Sequence, residues 1–150
     1  MNELSLINDF VINQFNSNDL VNTISIVRTL DIDFNKENIY PLVNVDMKDS
    51  EIQDQAVIIS FTITIIQQRD ERPIKTDSKL LTNINYIDNL NETHSIAQKF
   101  INTLNRQNNT DNIEIQNLST LRFLKEWGTS GCDGVQFDID LSIPNIGTSC

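Results

Sequence analysis

The stretch that most restricts the possible folds is Ala56–Ile66, whose sequence is AVIISFTITII. Every second residue in it is large and apolar: Val57, Ile59, Phe61, Ile63 and Ile65. The intervening positions mix isoleucine with serine and threonine. A period of two with many β-branched residues is typical of a strand with one fully apolar face. We therefore predict that this stretch is the middle strand of an antiparallel sheet.

Two alternating stretches before this strand also predict β-structure. Ile24–Phe34 alternates apolar residues with serine, threonine and aspartate, which predicts a strand with one solvated face. Tyr40–Met47 predicts a second strand whose two sets of side chains point inward (Val43, Val45, Met47) and outward (Leu42, Asn44, Asp46). The polar link Lys48–Gln55 predicts that this second strand pairs with the central strand as a hairpin.

Two segments have the periodicity of amphipathic helices. Leu4–Asn16 predicts a short helix that ends in turn-forming residues. A longer helix is predicted by a stripe of residues spaced three or four apart: Ile87, Leu90, His94, Ala97, Ile101 and Leu104. The turn formers of Asn105–Asn112 end this second helix.

The rest of the chain predicts strands again. Ile113 and Ile115 alternate with polar residues, and the next inward row is predicted to be Leu121, Phe123 and Trp127. A loop over Gly128–Gly134 leads into a predicted strand that is closed by Pro144. In this strand five apolar residues alternate with four polar ones, and the apolar residues are Val135, Phe137, Ile139, Leu141 and Ile143.

The predicted order is therefore α-β-β-β-α-β-β-β. It indicates an α+β fold with a mainly antiparallel sheet of about five to six strands and two helices packed on one face. Neither an internal repeat nor a long linker divides the chain, so residues 1–150 are predicted to form a single domain. Ile146–Cys150 lacks any pattern and is expected to fray.

Charge and composition exclude several classes of partner. The formal net charge of −10 argues against direct binding to DNA or RNA and to anionic membranes, because both need a basic surface. The chain lacks the uninterrupted apolar run of about 18 residues that a membrane span needs, and its first residues carry no basic signal-peptide region. The two isolated cysteines, Cys132 and Cys150, are typical of an intracellular, reduced protein.

Candidate catalytic and cofactor sites are weak in this sequence. Gly128, Gly131 and Gly134 match neither the phosphate-binding loop nor the dinucleotide fingerprint, and they are expected to form a turn between strands. Cys132 could be a nucleophile only if His94, the single histidine, acted as its base. His94 lies on the inward stripe of the predicted helix, which favours a structural role. We therefore predict no enzyme activity and no cofactor.

Carboxylates cluster at three places, which are Asp31 with Asp33, Asp46 with Asp49 and Glu51, and Asp138 with Asp140. None has the spacing of a calcium loop, and one histidine with two separated cysteines argues against a zinc site, so no metal is predicted. Aspartates two apart on a strand share one solvated face. Such a face either serves solubility or repels a polyanion.

The layout as a whole resembles the tail-terminator, or tail-completion, proteins of long-tailed bacteriophages. The resemblance covers roughly residues 1–145 and lies in the succession of an N-terminal helix and four stretches: RTLDIDFNKENIYPLVNVDM, NLNETHSIAQKFINTL, LRFLKEWG and GVQFDIDLSIPN. It is a resemblance of layout, because no single motif is diagnostic.

The resemblance implies a virion protein that is assembled in the host cytoplasm and has no catalytic residues. Such proteins form a ring, usually hexameric, that caps the tail tube and joins it to the neck. Its implied partners are therefore copies of itself, the tail-tube protein and neck or adaptor proteins. DNA would pass through the ring without specific binding, and no membrane is involved.

Two sets of residues are candidates for roles in such a ring. The charged excursion Gln67–Lys79 is a natural arm to contact a neighbouring subunit or the tube, through Arg69, Asp70, Glu71, Arg72 and Lys75. An acidic inner wall would repel DNA phosphates, and the residues expected there are Asp31, Asp33, Asp138 and Asp140. Two alternatives stay open, namely a head–tail adaptor or stopper of the neck and a cytosolic α+β module that binds a ligand or peptide.

Overall fold

The computed structural model describes residues 3–32, 39–69, 86–106, 112–128 and 131–145. Two helices and six strands follow one another in the predicted order: α1 (Glu3–Asn16), β1 (Thr23–Ser25), β2 (Leu42–Ile52), β3 (Ala56–Gln68), α2 (Tyr86–Arg106), β4 (Glu114–Leu118), β5 (Arg122–Trp127) and β6 (Cys132–Pro144). A single turn of 3-10 helix, Thr29–Asp31, follows β1. The predicted α+β class is confirmed.

All six strands belong to one sheet with β3 at its centre. The strand β3 pairs antiparallel with β2 on one side and with β6 on the other, as Ala56–Ile66 predicts. At one edge β1 pairs with β2 in the parallel sense. At the other edge β4 pairs with the C-terminal half of β6 and β5 with its N-terminal half.

The main core lies between the helices and one face of the sheet. It contains the predicted inward residues of the three long strands, for example Val43, Ile63 and Phe137, all fully buried. The helices add Phe15 of α1 and Phe100 of α2, whose rings stack with centroids 4.4 Å apart. Both predicted helices therefore pack on the same face, and this face holds most of the buried apolar side chains among the described residues.

The residues of β2 that were predicted to point outward are not exposed to solvent. Leu42, Asn44 and Asp46 do lie on the sheet face opposite the helices, but their exposed fractions are only 2%, 0% and 7%. Leu42 packs there with Ile66 and Cys132 in a second, smaller apolar cluster. The predicted hairpin of β2 and β3 is confirmed. The strand β2 continues to Ile52 and β3 begins at Ala56, so the link between them is shorter than the predicted Lys48–Gln55.

The predicted strand Ile24–Phe34 is wrong beyond Ser25. The buried amide of Asn44 binds the backbone of Val27 on both sides, accepting from its N–H (3.2 Å) and donating to its carbonyl (2.9 Å). These side-chain bonds replace a strand ladder. The chain then makes the 3-10 turn, and Leu30 is left 93% exposed where the alternation placed it inward. Phe34 lies outside the described residues.

The predicted stripe of α2 is buried at Leu90, Ala97, Ile101 and Leu104, but the buried face of the helix is wider than the stripe and does not include Ile87. Ile87 is 58% exposed, whereas Ile96 and Phe100, which the stripe omitted, are buried. Asn89 and Thr93 are buried as well, about three and two turns before Phe100 respectively. The Phe100 ring contacts two other buried rings, since it stacks on Phe15 and its centroid lies 6.3 Å from that of Phe137.

The predicted inward row is confirmed for Leu121, which packs against the main core, but is wrong for Trp127 and leaves Phe123 largely exposed. A register shift between Leu124 and Trp127 interrupts the pairing of β5 with β6, and Glu126 has a positive φ of 50° there. Because a bulge inserts an extra residue, it changes the side on which the following residues lie. Trp127 joins the second cluster on the opposite face, and Phe123 remains on the helix side but is 55% exposed.

Gly134, which the sequence placed in a loop, lies inside β6 opposite Ile66. A Cβ atom at this position would overlap the carbonyl oxygen of Ile65 and lie 3.0 Å from Cα of Ile66. Both neighbours are backbone of the central strand, so they cannot move aside without disturbing the sheet.

We predict that Gly134→Ala lowers the free energy of unfolding by at least about 3 kcal/mol, the upper range for overpacking in a core. Urea unfolding followed by circular dichroism measures this change. The matched control is Gly131→Ala, where nothing lies within 4 Å of the new Cβ and only the positive φ of 63° opposes it, at about 1 kcal/mol. Equal loss in the two variants would contradict the steric explanation.

Candidate functional site: the polar sheet face and the apolar edges

The sheet face opposite the helices, here called the polar face, carries two rows of hydrogen-bonded side chains. In the first row Thr62 donates to Asp138 at 2.6 Å, and a guanidinium nitrogen of Arg122 lies 3.7 Å from the same carboxylate. In the second row Gln136 donates to Thr64 at 3.0 Å and accepts from Arg122 at 3.1 Å. These cross-strand bonds hold the polar side chains in place on the sheet.

Negative charge predominates on the polar face. Asp138 and Asp140 share it, as their alternation predicts, and the strand registers place four more carboxylates on the same side: Asp46, Asp49, Glu51 and Glu114. Among the described residues of this face the cations are Arg122 and Lys48, which lies 3.2 Å from Asp46. Six carboxylates against two cations make this an acidic surface that attracts cations and repels anions.

The other predicted acidic pair is Asp31 with Asp33, and Asp31 does not lie on a strand of the polar face. Asp31 belongs to the 3-10 turn and accepts a hydrogen bond from Arg28 at 2.7 Å, with its side chain 49% exposed. Asp33 lies outside the described residues. The prediction that Asp31 lies on a strand is wrong because the chain leaves the sheet after Ser25.

Asp46 fixes the turn that follows β1. Its Oδ2 accepts two hydrogen bonds from Thr29, one from the backbone N–H and one from the hydroxyl, both at 2.8 Å. Burial alone would raise the pKa of Asp46, but these bonds and the ammonium group of Lys48 hold that pKa below its usual value. A charged carboxylate therefore anchors the turn that exposes Leu30.

Arg69 does not belong to an exposed arm, contrary to the prediction. Its side chain is 5% exposed and pairs with Asp133, which is fully buried, at 2.6 Å and 3.0 Å. Asp133 also accepts hydrogen bonds from the Asn89 amide at 3.2 Å and the Glu126 backbone N–H at 3.1 Å. Burial acts to raise the pKa of Asp133, but Arg69 and these two donors lower it below its usual value.

This ion pair also explains the bulge in β5. The N–H of Glu126 is turned toward Asp133, and the Glu126 carboxylate accepts from Arg69 at 2.8 Å. Arg69 lies over the ring of Tyr86 at 5.6 Å, at the start of α2. The cluster thus ties β3, β5, β6 and α2 together. The remaining residues of the predicted arm, Asp70, Glu71, Arg72 and Lys75, lie outside the described residues.

A shallow groove separates α2 from β5, with a volume of about 470 Å³. We call it the α2–β5 groove. Its wall is formed by Tyr86, Ile87, Leu90 and Phe123, and its polar rim by Asn91, His94 and Lys125. The sequence pattern did not reveal this groove, because it predicted Ile87 and Phe123 to lie in the core, whereas both are more than half exposed. A stripe of apolar residues on a helix does not indicate which end of the helix packs against the sheet.

Cys132 and His94 lie on opposite sides of the sheet. The thiol belongs to the second apolar cluster with Leu42 and Ile66, and burial raises its pKa. His94 is on α2, and its ring lies 6.2 Å from that of Phe123 at the groove. The fold therefore does not bring this imidazole to the thiol as a general base.

We predict that Arg69→Met lowers the free energy of unfolding by about 3–5 kcal/mol, because it leaves the Asp133 carboxylate buried without its cation. The matched control is Arg122→Met, which removes a cation whose ion pair with Asp138 is half exposed and should matter by less than about 1 kcal/mol. Urea unfolding of both variants checks this. Similar stability of the two variants would mean that Arg69 is not the buried partner described above.

No group of three or more histidine, cysteine or acidic side chains in the described part of the chain could hold a metal ion. None of the described helices combines the length and the apolar character needed to cross a membrane. Comparison with protein-family models and with curated proteins finds no significant match to the sequence.

Proposed function

We propose that this chain is a structural subunit of a bacteriophage tail terminator. In this role copies of the chain form a ring at the head-proximal end of the tail. The ring ends the growth of the tail tube and joins it to the neck. The proposal combines the resemblance in layout with one structural observation, the acidic polar face.

The polar face has the properties that the wall of a DNA channel requires. DNA carries about one negative charge per 1.7 Å of its length, and it binds proteins mainly by releasing counterions to basic side chains. A wall of carboxylates offers no such gain, so DNA can slide past without being held. Asp138 and Asp140 are the central residues of this wall in the proposal, and their neighbours across the sheet are Thr62 and Ser60.

Rigidity is the second property that supports the proposal. A wall that long DNA passes must keep its shape, and a sheet with hydrogen-bonded rows on one face and a packed core on the other changes shape little. The Thr62–Asp138 and Gln136–Thr64 bonds fix polar groups on neighbouring strands to each other. The same features would be unnecessary in a module that closes around a ligand.

Deleting the gene for this chain from its phage should give overlong tails that do not join heads, visible by negative-stain electron microscopy. Restoring the wild-type gene in trans should restore normal tails. Tails of normal length beside heads that have lost their DNA would instead identify a neck adaptor or stopper. Unchanged virions would refute the virion role and favour a binding module.

The position of the polar face in the ring has its own test. We predict that the pair Asp138→Lys and Asp140→Lys slows the ejection of DNA from complemented virions, because the new cations bind phosphates. The control pair, Asp9→Lys and Asp54→Lys, changes the net charge equally at two exposed sites off this face. Thermal unfolding confirms that both pairs fold. Equal ejection rates in the two pairs would place the polar face away from the DNA.

A further inference from the structure

We infer that copies of this chain join edge to edge, with Leu30 of one copy inserted into the α2–β5 groove of the next. This inference rests on the proposed function, because it names the contact by which the ring would close. It starts from the distribution of exposed apolar residues. Apart from Ile52, the large apolar side chains exposed in the described residues lie near the two edges of the sheet.

Leu30 is the most exposed of these residues, at 93% of its full surface. It does not lie on a loose segment, because the turn Thr29–Asp31 is held by the two hydrogen bonds from Thr29 to Asp46 and by the Arg28–Asp31 pair. An apolar side chain held in place by the fold binds a partner without losing much further freedom. The fold thus presents Leu30 as a fixed projection.

The surroundings of Leu30 are apolar as well. Leu20, Ile26 and Val27 flank β1, and their exposed fractions are 46%, 61% and 40%. Ile39 is 65% exposed, and its carbonyl accepts a hydrogen bond from Thr23 of β1. A central anchor within a wider contact that excludes water is the usual arrangement of a binding hot spot.

The α2–β5 groove is the complementary surface. Ile87 and Phe123 stand on its two sides, one on the helix and one on the strand, and both are more than half exposed. Its volume of about 470 Å³ accommodates a leucine side chain together with neighbouring groups. Lys125 at the rim would meet Asp31, which lies next to Leu30 in the chain.

The two surfaces lie at opposite edges of the sheet, in the order β1-β2-β3-β6 with β5 beyond. A projection that fits a depression elsewhere on the same molecule makes a head-to-tail contact, and such contacts close into rings or grow into filaments. A symmetric dimer would have to bring both surfaces into one continuous, self-complementary patch, and their positions at opposite edges of the sheet oppose this. In this inference the partner of each edge is a second copy of this chain.

Cross-linking of variants with one accessible cysteine each tests the contact directly. In a Cys150→Ser background, with Cys132 retained because it is buried, Leu30→Cys and Phe123→Cys are purified separately and then mixed with a short bis-maleimide. We expect the mixture to give a cross-linked dimer and neither variant alone to do so. The control is Ile52→Cys, which is 77% exposed on the β2–β3 hairpin and should cross-link with neither.

Two results would overturn the inference. Phe123→Cys cross-linking to itself as strongly as to Leu30→Cys would indicate a symmetric contact, and a mixture without a dimer would indicate no contact. As an independent measurement, Leu30→Asp and Phe123→Asp should each raise the dissociation constant for self-association by about tenfold or more in sedimentation. Ile52→Asp should leave that constant unchanged, and circular dichroism shows whether each variant is folded.

The outcomes separate this inference from the proposed function. A cross-linked mixed dimer together with normal tails after gene deletion would support the contact between copies and refute the role as a tail terminator. Overlong tails after deletion without a cross-linked dimer would leave the role in place and remove the contact.

Discussion

The pairing of β3 with β6 is the interaction on which the rest of the structure depends. It runs without a register shift from Ala56 opposite Pro144 to Gln68 opposite Cys132. The partners are far apart in sequence, so closing the intervening chain is costly, and a long ladder with a packed apolar side is needed to offset that loss of entropy. Once this register is set, every residue of both strands is assigned to either the helix side or the polar face.

Three buried polar side chains then shape the parts of the chain that are not regular strand. Asn44 binds the backbone of Val27 and ends the pairing of β1, Asp46 holds the turn at Thr29, and Asp133 draws the backbone of Glu126 into a bulge. Because a buried polar group without partners is strongly unfavourable, each of these residues dictates where its partner segment lies. The exposed Leu30 and the position of Trp127 on the polar face are consequences of these contacts.

The long strands could be predicted from the sequence, and the polar side chains explain why the edges could not. Alternation in Ala56–Ile66 and in Val135–Ile143 reports a local property, the burial of one face, and the structure follows it. The alternation of Ile24–Phe34 is interrupted only at Val27 and Arg28, but the amide of Asn44, distant in sequence, competes for the backbone at Val27. No local pattern records such a contact.

The candidate site likewise has parts that could be predicted from the sequence and parts that could not. Asp138 and Asp140 could be placed on one face because they belong to a strand whose period is clear. The groove could not be found, since the sequence does not say that α2 turns Phe100 toward the core and leaves Ile87 outside. The burial of Arg69 was equally hidden, because a charged run predicts exposure unless the buried partner, Asp133, is known.

Edge contacts and an acidic face fit together in the proposed ring for a geometric reason. If copies join through the edges of their sheets, each sheet continues into the next, and the polar faces of all copies lie on the same side of the wall. The carboxylates of neighbouring copies then repel one another, with a formal net charge of −10 per chain. Salt screens exposed charges beyond about 8 Å at physiological ionic strength, whereas an apolar contact at the edge is not weakened by salt. Closure of the ring should therefore depend on the fixed Leu30 projection and its groove, and the acidic face should set how much salt that closure needs.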